Sequence, residues 1–215
     1  MLDLADANQK ADLLARLGVD PAIAKYVTDH LFPGDKIELK PIRTTDKAHY
    51  GVAFLPSGSE VSCYLYILQG SDEEPVKMAW HVIDQQQLNC WNGSSSLEII
   101  PLRFTEMDDL ILHHVNYDHG SGILANQTQV FSILSGKLVQ TLATQDYLVE
   151  NSIAIRDALE QRSTFLRFPN NSLEETRTST CNDKLKKVER RYWRWSEQEH
   201  KFVPGQFRLI VAPSI

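Results

Sequence analysis

The chain has 215 residues, a formal net charge of −6 and a sequence pI of about 5.6. Hydrophobic residues make up 42% and charged residues 23%, which is typical of a folded globular protein and excludes disorder along the whole chain. The negative charge repels polyanions, so a dedicated nucleic-acid-binding protein is disfavoured. No stretch approaches the roughly 18 apolar residues of a spanning helix, so we expect no membrane span.

Two helical patterns open the chain. Residues 3–17 carry apolar side chains at nearly helical spacing. Asp20 is a suitable N-cap for a second helix with Pro21 at its first position, and residues 33–34 are a Pro-Gly pair that ends it. We therefore expect residues 1–34 to form an N-terminal helical hairpin.

A change of period marks the rest of the chain. Beyond residue 34, apolar residues alternate with polar ones, as Ile37 and Leu39 do, so residues 35–215 are predicted to form an antiparallel β-rich domain. The fold class is thus mainly β. Residues 61–68 and 76–82 alternate on either side of a polar turn and predict a hairpin with one core face.

About three units of strand, polar loop and hairpin are predicted within this domain. The first comprises residues 50–54, 61–68 and 76–82. The second comprises residues 110–112, the polar stretch 116–127, the strand 128–134, a turn at residues 135–136 and residues 138–142. The third comprises residues 165–168, the polar stretch 170–183, the strand 188–195, a turn at residues 196–200 and residues 202–203. Residues 146–161 are predicted to form a helix between the second and third units.

Two segments carry a resemblance to a known family. Residues 97–113 read as strand, acidic loop and strand and resemble a degenerate FG-GAP or VCBS unit, while residues 192–196 with 201–203 resemble the Tyr/Trp hairpins that close such units in bacterial exported proteins. The resemblance implies small repeated β-sheets, arranged as an irregular propeller-like array or as a sandwich. The family's calcium loop has alternating aspartates, which residues 103–109 lack, so no calcium site is implied.

A cluster of polar side chains provides the first candidate site. His113, His114, Asp118 and His119 combine imidazoles and a carboxylate that are suited to a transition metal. Neighbouring residues of a strand point to opposite faces, so only one of His113 and His114 can join the other two unless the backbone bends. The alternative is a strand end that runs into a polar loop.

A basic and aromatic strand provides the second candidate. Arg191, Trp193 and Trp195 fall on one face of a period-two pattern, in a segment whose residues resemble those used to hold phosphates and stack on bases or sugars. The alternative is a solvated strand with its tryptophans packed on the core.

Enzyme motifs are missing from the sequence. There is no GxSxG, SxxK, Walker loop or GxGxxG, so catalysis is disfavoured, although the sequence does not decide it. The adjacent acids Asp108 and Asp109, like those at 174–175, are interpreted as solvated loop acids. Cys63 is expected on a buried strand face, and a bridge from Cys63 to Cys90 requires an oxidising compartment.

The leading hypothesis is a non-catalytic β-rich binding or interaction module, periplasmic or secreted in a bacterium, with a protein or glycan ligand. The alternative is a metal-binding protein or metal-dependent hydrolase that uses the cluster at residues 113–119, and a cytoplasmic location stays open. Cofactor and oligomeric state are undecided. We expect function to lie in the polar loops at residues 113–127 and 170–187.

Overall fold

The structure is a computed structural model that describes residues 7–16, 18–29, 38–44, 50–55, 63–70, 80–88, 93–103, 106–116, 123–150 and 158–211. Most of these residues lie in antiparallel strands, which confirms the mainly β prediction. None of the described helices is long and apolar enough to cross a bilayer.

Two helices precede the strands, α1 (Ala7–Arg16) and α2 (Pro21–Asp29). The N-cap prediction is confirmed, because Oδ1 of Asp20 accepts a hydrogen bond from the Ala22 amide at 2.8 Å. Leu14 and Ala24 are buried in a cluster with Tyr66 and Leu68 of the first sheet. A self-contained hairpin unit is therefore not supported, and the domain boundary after residue 34 stays a prediction.

The described strands are β1 (Glu38–Ile42), β2 (Tyr50–Leu55), β3 (Cys63–Gly70), β4 (Trp80–Leu88), β5 (Gly93–Ile100), β6 (Asp109–Asn116), β7 (Ile123–Leu134), β8 (Lys137–Glu150), β9 (Leu159–Phe168), β10 (Ser172–Cys181), β11 (Lys184–Ser196), β12 (Lys201–Pro204) and β13 (Arg208–Val211). The first sheet has the order β1-β2-β3-β4. The second has the order β12-β11-β10-β9-β8-β7-β6-β5, and β13 also pairs with β11. Each strand up to β12 pairs with its neighbour in the chain wherever the two share a sheet, so both sheets are meanders.

This topology does not support a propeller-like array or three separate units. The described strands form two open sheets, and the predicted second and third units belong to the same continuous meander. The β3–β4 hairpin is present, although its described second strand begins at Trp80, and residues 76–79 lie outside the described residues.

The hairpin predicted between β7 and β8 is confirmed. Ser135 and Gly136 have φ values of 52° and 74°, as a two-residue type I′ turn requires. The predicted turn at residues 196–200 likewise joins β11 to β12.

Two predictions for the C-terminal half are wrong. The predicted helix at residues 146–161 is instead strand at residues 146–150 and 159–161, where residues 147–150 pair with residues 159–162. Residues 151–157 lie outside the described part. The predicted polar loop at residues 170–183 contains β10, which pairs with strands on both sides. Its threonines suit strands, and ion pairs from β11 to Glu174 and Glu175 satisfy its acidic charges.

The middle of the chain is covered on both faces. One cluster joins the first sheet to β5–β7, with Ile42, Cys63, Leu65, Ile67 and Leu88 packed on Leu97, Leu110, Leu112, Phe131 and Ile133. A second cluster lies on the opposite face and joins Leu102, Ile111, Val130 and Leu142 to Leu173, Trp193 and Phe202. The first sheet, β5–β8 and β9–β12 therefore form three layers, and the second sheet folds back on itself.

The cysteines differ in state. Cys63 is fully buried, as predicted, and is disulfide-bonded. Cys181 is a free thiol. Cys90 lies outside the described residues, and its pairing with Cys63, which the sequence left open, stays a hypothesis.

Three of the acids interpreted as loop acids, Asp108, Asp109 and Glu175, are in fact buried, and Glu174 is half-buried on β10. The Arg103 guanidinium lies 3.0 Å from the Asp109 carboxylate, which also accepts a hydrogen bond from the Ser132 hydroxyl at 2.5 Å. Asp108 pairs with Arg43 at 2.8 Å. Burial would raise the pKa of Asp108, but hydrogen bonds and charge from Arg43 lower it overall. These pairs fix the β5–β6 loop to the body of the protein.

Candidate functional site: an apolar cleft in the folded sheet

A cleft of about 470 Å³ lies between the inner face of β5–β8 and the layer that begins with β9. Its lining residues come from six strands and the β5–β6 loop: Glu98, Ile100, Pro101, Leu102, Ile111, His113, Thr128, Val130, Leu142, Thr144, Asp146, Phe165, Arg167 and Leu173. Its volume is in the range of small-molecule sites.

The cleft exists because β8 and β9 pair over only part of their length. Residues 147–150 of β8 pair with residues 159–162 of β9. Beyond that corner β8 continues along β7, whereas β9 continues along β10. The two strands therefore diverge, and the space between their layers opens to the side.

Apolar side chains cover most of the inner surface. Ile111, Val130 and Leu142 project from adjacent strands, and Leu173 faces them from the folded-back layer. Alternation along β6 and β7 explains the arrangement, since Leu110, Leu112 and Phe131 turn to the other core. An apolar group that enters this cleft would leave water, which is favourable.

A chain of polar side chains crosses one end of the cleft. The Thr128 hydroxyl donates to Oδ2 of Asp146 at 3.0 Å and lies 3.0 Å from Nδ1 of His113. Because that hydroxyl has one proton, Nδ1 of His113 donates to it. Nε2 of His113 then faces Oε2 of Glu98 at 3.7 Å.

Among the described residues, Asp146 has one carboxylate oxygen that accepts no hydrogen bond. Its Oδ1 is buried and has no hydrogen-bond partner among the described residues, although the residue lines the cleft. A buried acceptor without a donor is costly. An N–H or O–H group that reached this oxygen on ligand binding would satisfy it.

The mouth is formed by β9. Phe165 is 39% exposed and lines the cleft, whereas its neighbour Leu166 is 57% exposed on the opposite face. Arg167 reaches across the gap and donates a hydrogen bond to the carbonyl of Pro101. This contact ties β9 to the β5–β6 loop and bounds one side of the opening.

A buried charged cluster stabilises the layer behind the cleft. Glu175 is fully buried and accepts hydrogen bonds from Arg191 at 2.6 Å, Ser163 at 2.7 Å, Trp193 at 2.9 Å and Arg177 at 3.0 Å. Burial alone would raise the pKa of Glu175, but the hydrogen bonds from Ser163, Arg191 and Trp193 and the charge of Arg191 lower it overall. This cluster holds β9, β10 and β11 in register.

The predicted histidine cluster is divided by the strand. His113 lies in the cleft, whereas His114 is buried on the other face, where its Nδ1 lies 2.9 Å from the Ser95 hydroxyl. Asp118 and His119 lie outside the described residues. The described part of the chain contains no group of three or more potential metal ligands. A metal site at residues 113–119 therefore stays a prediction.

The predicted Arg191, Trp193 and Trp195 set does share one face of β11. Arg191 and Trp193 both bond to Glu175, and Trp193 is only 5% exposed. The ring of Trp195 contacts Phe202 at 5.3 Å between centroids and lies 4.4 Å from the Arg103 guanidinium. The structure thus places the tryptophans in packing contacts, and a ligand-binding role for the set stays a prediction.

The cleft itself was missed by the sequence analysis. The sequence did contain an indication of the cleft. Polar residues fall on the same faces of β7 and β8 as the apolar Val130 and Leu142, namely Thr128, Thr144 and Asp146. Polar residues within an otherwise apolar face indicate either a buried network or a site.

Comparisons of the chain with protein-family models, curated proteins and solved structures find no match, so the FG-GAP or VCBS resemblance stays a prediction.

Proposed function

We propose that this protein is a non-catalytic binding protein that holds a small amphipathic molecule in the cleft between β5–β8 and β9–β10. The observation that carries the proposal is an apolar cavity of about 470 Å³ with a buried, unpartnered Asp146 oxygen at one end. Small-molecule sites commonly combine an apolar lining with a few polar groups that fix orientation.

The polar end of the cleft favours a particular head group. Glu98 and Asp146 contribute two carboxylates there, and the nearby Arg167 is engaged with the Pro101 carbonyl. A cationic or hydroxyl-bearing head group can donate to Asp146, whereas an anionic one meets like charge. The ligand is therefore an apolar chain or ring that ends in an amine or a hydroxyl. The mostly apolar lining of the cleft suits such a ligand better than it suits a glycan.

The compartment is part of the proposal. The disulfide at Cys63 supports a periplasmic or secreted protein, because disulfides persist mainly in oxidising compartments. A bacterial source remains an expectation from the sequence resemblance.

The test is a fluorescence titration with N-phenyl-1-naphthylamine, an uncharged apolar probe. Thr144→Trp places a large ring in the cleft, and Thr164→Trp is the matched control, because Thr164 is exposed on β9 and does not line the cleft. We expect saturable binding by the wild type and by Thr164→Trp, with at least about tenfold weaker binding by Thr144→Trp. Circular dichroism confirms that both variants fold.

Two results would overturn the proposal. One is equal affinity of the probe for both variants, which would place it elsewhere. The other is the absence of saturable binding by the wild type.

A further inference from the structure

Four exposed or half-exposed residues form a basic surface on the other side of the folded-back layer, which we call the arginine face: Arg190, Tyr192, Arg194 and Arg208. The first three alternate along β11 and therefore point to the same side, away from Trp193 and the interior. They line a hollow of about 590 Å³ together with the segment that joins β12 to β13.

Strand register brings two of these arginines together. Arg190 of β11 lies directly opposite Arg208 of β13. Like charges opposite each other on paired strands are destabilising. The protein has a net charge of −6, so this concentration of cations runs against its overall charge. An anion bound between the two strands would relieve the repulsion.

The carboxylates nearby do not neutralise the arginine face. Nε of Arg190 lies 3.1 Å from Oε1 of Glu174 but makes no hydrogen bond, so the contact is an ion pair of poor geometry. Within the described part of the chain, Arg194 and Arg208 form no ion pair. The surface therefore has three guanidinium groups against one carboxylate.

The backbone shapes the hollow beside these charges. The amide of Gly205 donates to the carbonyl of Tyr192 at 2.7 Å, which draws the β12–β13 connection against β11. Tyr192 is 44% exposed, and its ring lies 6.4 Å from that of Phe168. The Tyr192 ring lies between Arg190 and Arg194 on the surface of the hollow. It gives an organic ligand an apolar contact.

We propose that the arginine face binds a multivalent oxyanion, either free or carried on a small ring-containing molecule. Guanidinium groups bind phosphate-like oxyanions through paired N–H donors, and Arg194 and Arg208 have donors to give. Arg190, Tyr192 and Arg194 point away from the buried Glu175 cluster, although Arg191 of that cluster also borders the hollow. This site does not depend on the function proposed for the cleft.

The test is isothermal titration of the full chain with inorganic pyrophosphate at low ionic strength. The variant Arg194→Gln/Arg208→Gln removes two charges from the arginine face. Its control, Lys184→Gln/Lys186→Gln, removes two exposed charges from the far end of the same strand. We expect saturable binding by the wild type and the control, and at least about tenfold weaker binding by the arginine variant.

Equal weakening in both double variants would overturn the proposal, since it would show attraction by overall charge alone. Absence of saturable binding by the wild type would also overturn it. A second titration compares inorganic phosphate with phenyl phosphate. Tighter binding of phenyl phosphate supports a ligand whose ring lies on Tyr192, and equal binding supports the free oxyanion.

Discussion

Glu175 shows how much one buried charge determines in this protein. It is fully buried and bonds to side chains from β9, β10 and β11. Removing one member of a buried charged network leaves the other members uncompensated. We expect Glu175→Gln to lower the free energy of unfolding by about 3 kcal/mol.

Glu174 provides a matched control for this prediction. It is the adjacent residue, points to the other face and pairs with the half-exposed Arg190. Such pairs contribute little, so Glu174→Gln should cost at most about 1 kcal/mol. Urea unfolding of the two variants measures the difference. A smaller loss for Glu175→Gln than for Glu174→Gln would contradict the role assigned to the cluster.

The pH dependence of stability follows from the lowered pKa of Glu175. The unfolded chain, with a glutamate pKa of about 4.3, takes up the proton before the folded protein does. The stabilisation is therefore complete above that pH and is lost as pH falls towards the folded pKa. In acid urea titrations we expect Glu175→Gln to lose less stability than the wild type, with Asp108 contributing in both. Parallel curves would contradict this.

The sequence alone does not show which charged residues form buried pairs. Asp108 and Asp109 were interpreted as solvated loop acids but pair with Arg43 and Arg103. Arg103 is close to Asp109 in the sequence, but the burial of this pair depends on how the layers of the fold pack together. Pattern analysis identifies the charged residues but does not show which of them meet.

At the scale of elements, β5 depends on a residue without a side chain. A Cβ atom added to Gly93 would lie 1.9 Å from the Val115 carbonyl oxygen and 2.7 Å from the His114 ring. Because the nearest atom is backbone, β6 would have to move. We expect Gly93→Ala to destabilise the protein by about 1–3 kcal/mol in urea unfolding. The control is Ser96→Ala on the exposed side of β5, and an equal effect of the two would contradict the argument.

The sequence predicts best those elements that depend on residues close together in the chain. The β7–β8 hairpin was predicted from a short Ser-Gly turn between two strand patterns, and the positive φ of Ser135 and Gly136 confirms that turn. The segment at residues 146–161 was predicted as helix because its apolar spacing is ambiguous, and only pairing across a corner of the sheet makes its described parts strand. Pairing between segments, unlike a tight turn, has no signature within one segment.

At the scale of the whole molecule, the two sheets depend on a shared core. Ile67 of the first sheet is fully buried in the cluster that also contains Leu110 and Phe131 of the second. We expect Ile67→Ala to cost about 2–5 kcal/mol and to leave a single unfolding transition. The exposed Leu185→Ala should cost less than about 1 kcal/mol. Two separate transitions in urea would contradict a shared core.

The overall arrangement could be predicted only in part. Alternation indicated antiparallel strands, which the structure confirms. The single core face predicted for the β3–β4 hairpin is wrong, because Leu65 and Ile67 of β3 pack in one cluster and Tyr66 and Leu68 in another. Alternation could not show that β5–β8 is covered on both faces, because the same pattern fits a sheet with one covered face. The cleft depends on the divergence of β8 and β9, and therefore on this arrangement.

The most direct test of the proposed function is to map a bound amphiphile by NMR. Amide shifts of the isotope-labelled protein are followed during titration with dodecylamine below its micellar concentration. We expect saturable shifts concentrated at cleft residues such as Ile111, Val130 and Thr144. Shifts confined to the outer side, at Leu166 and Tyr192, or the absence of saturable shifts would contradict a ligand site in the cleft.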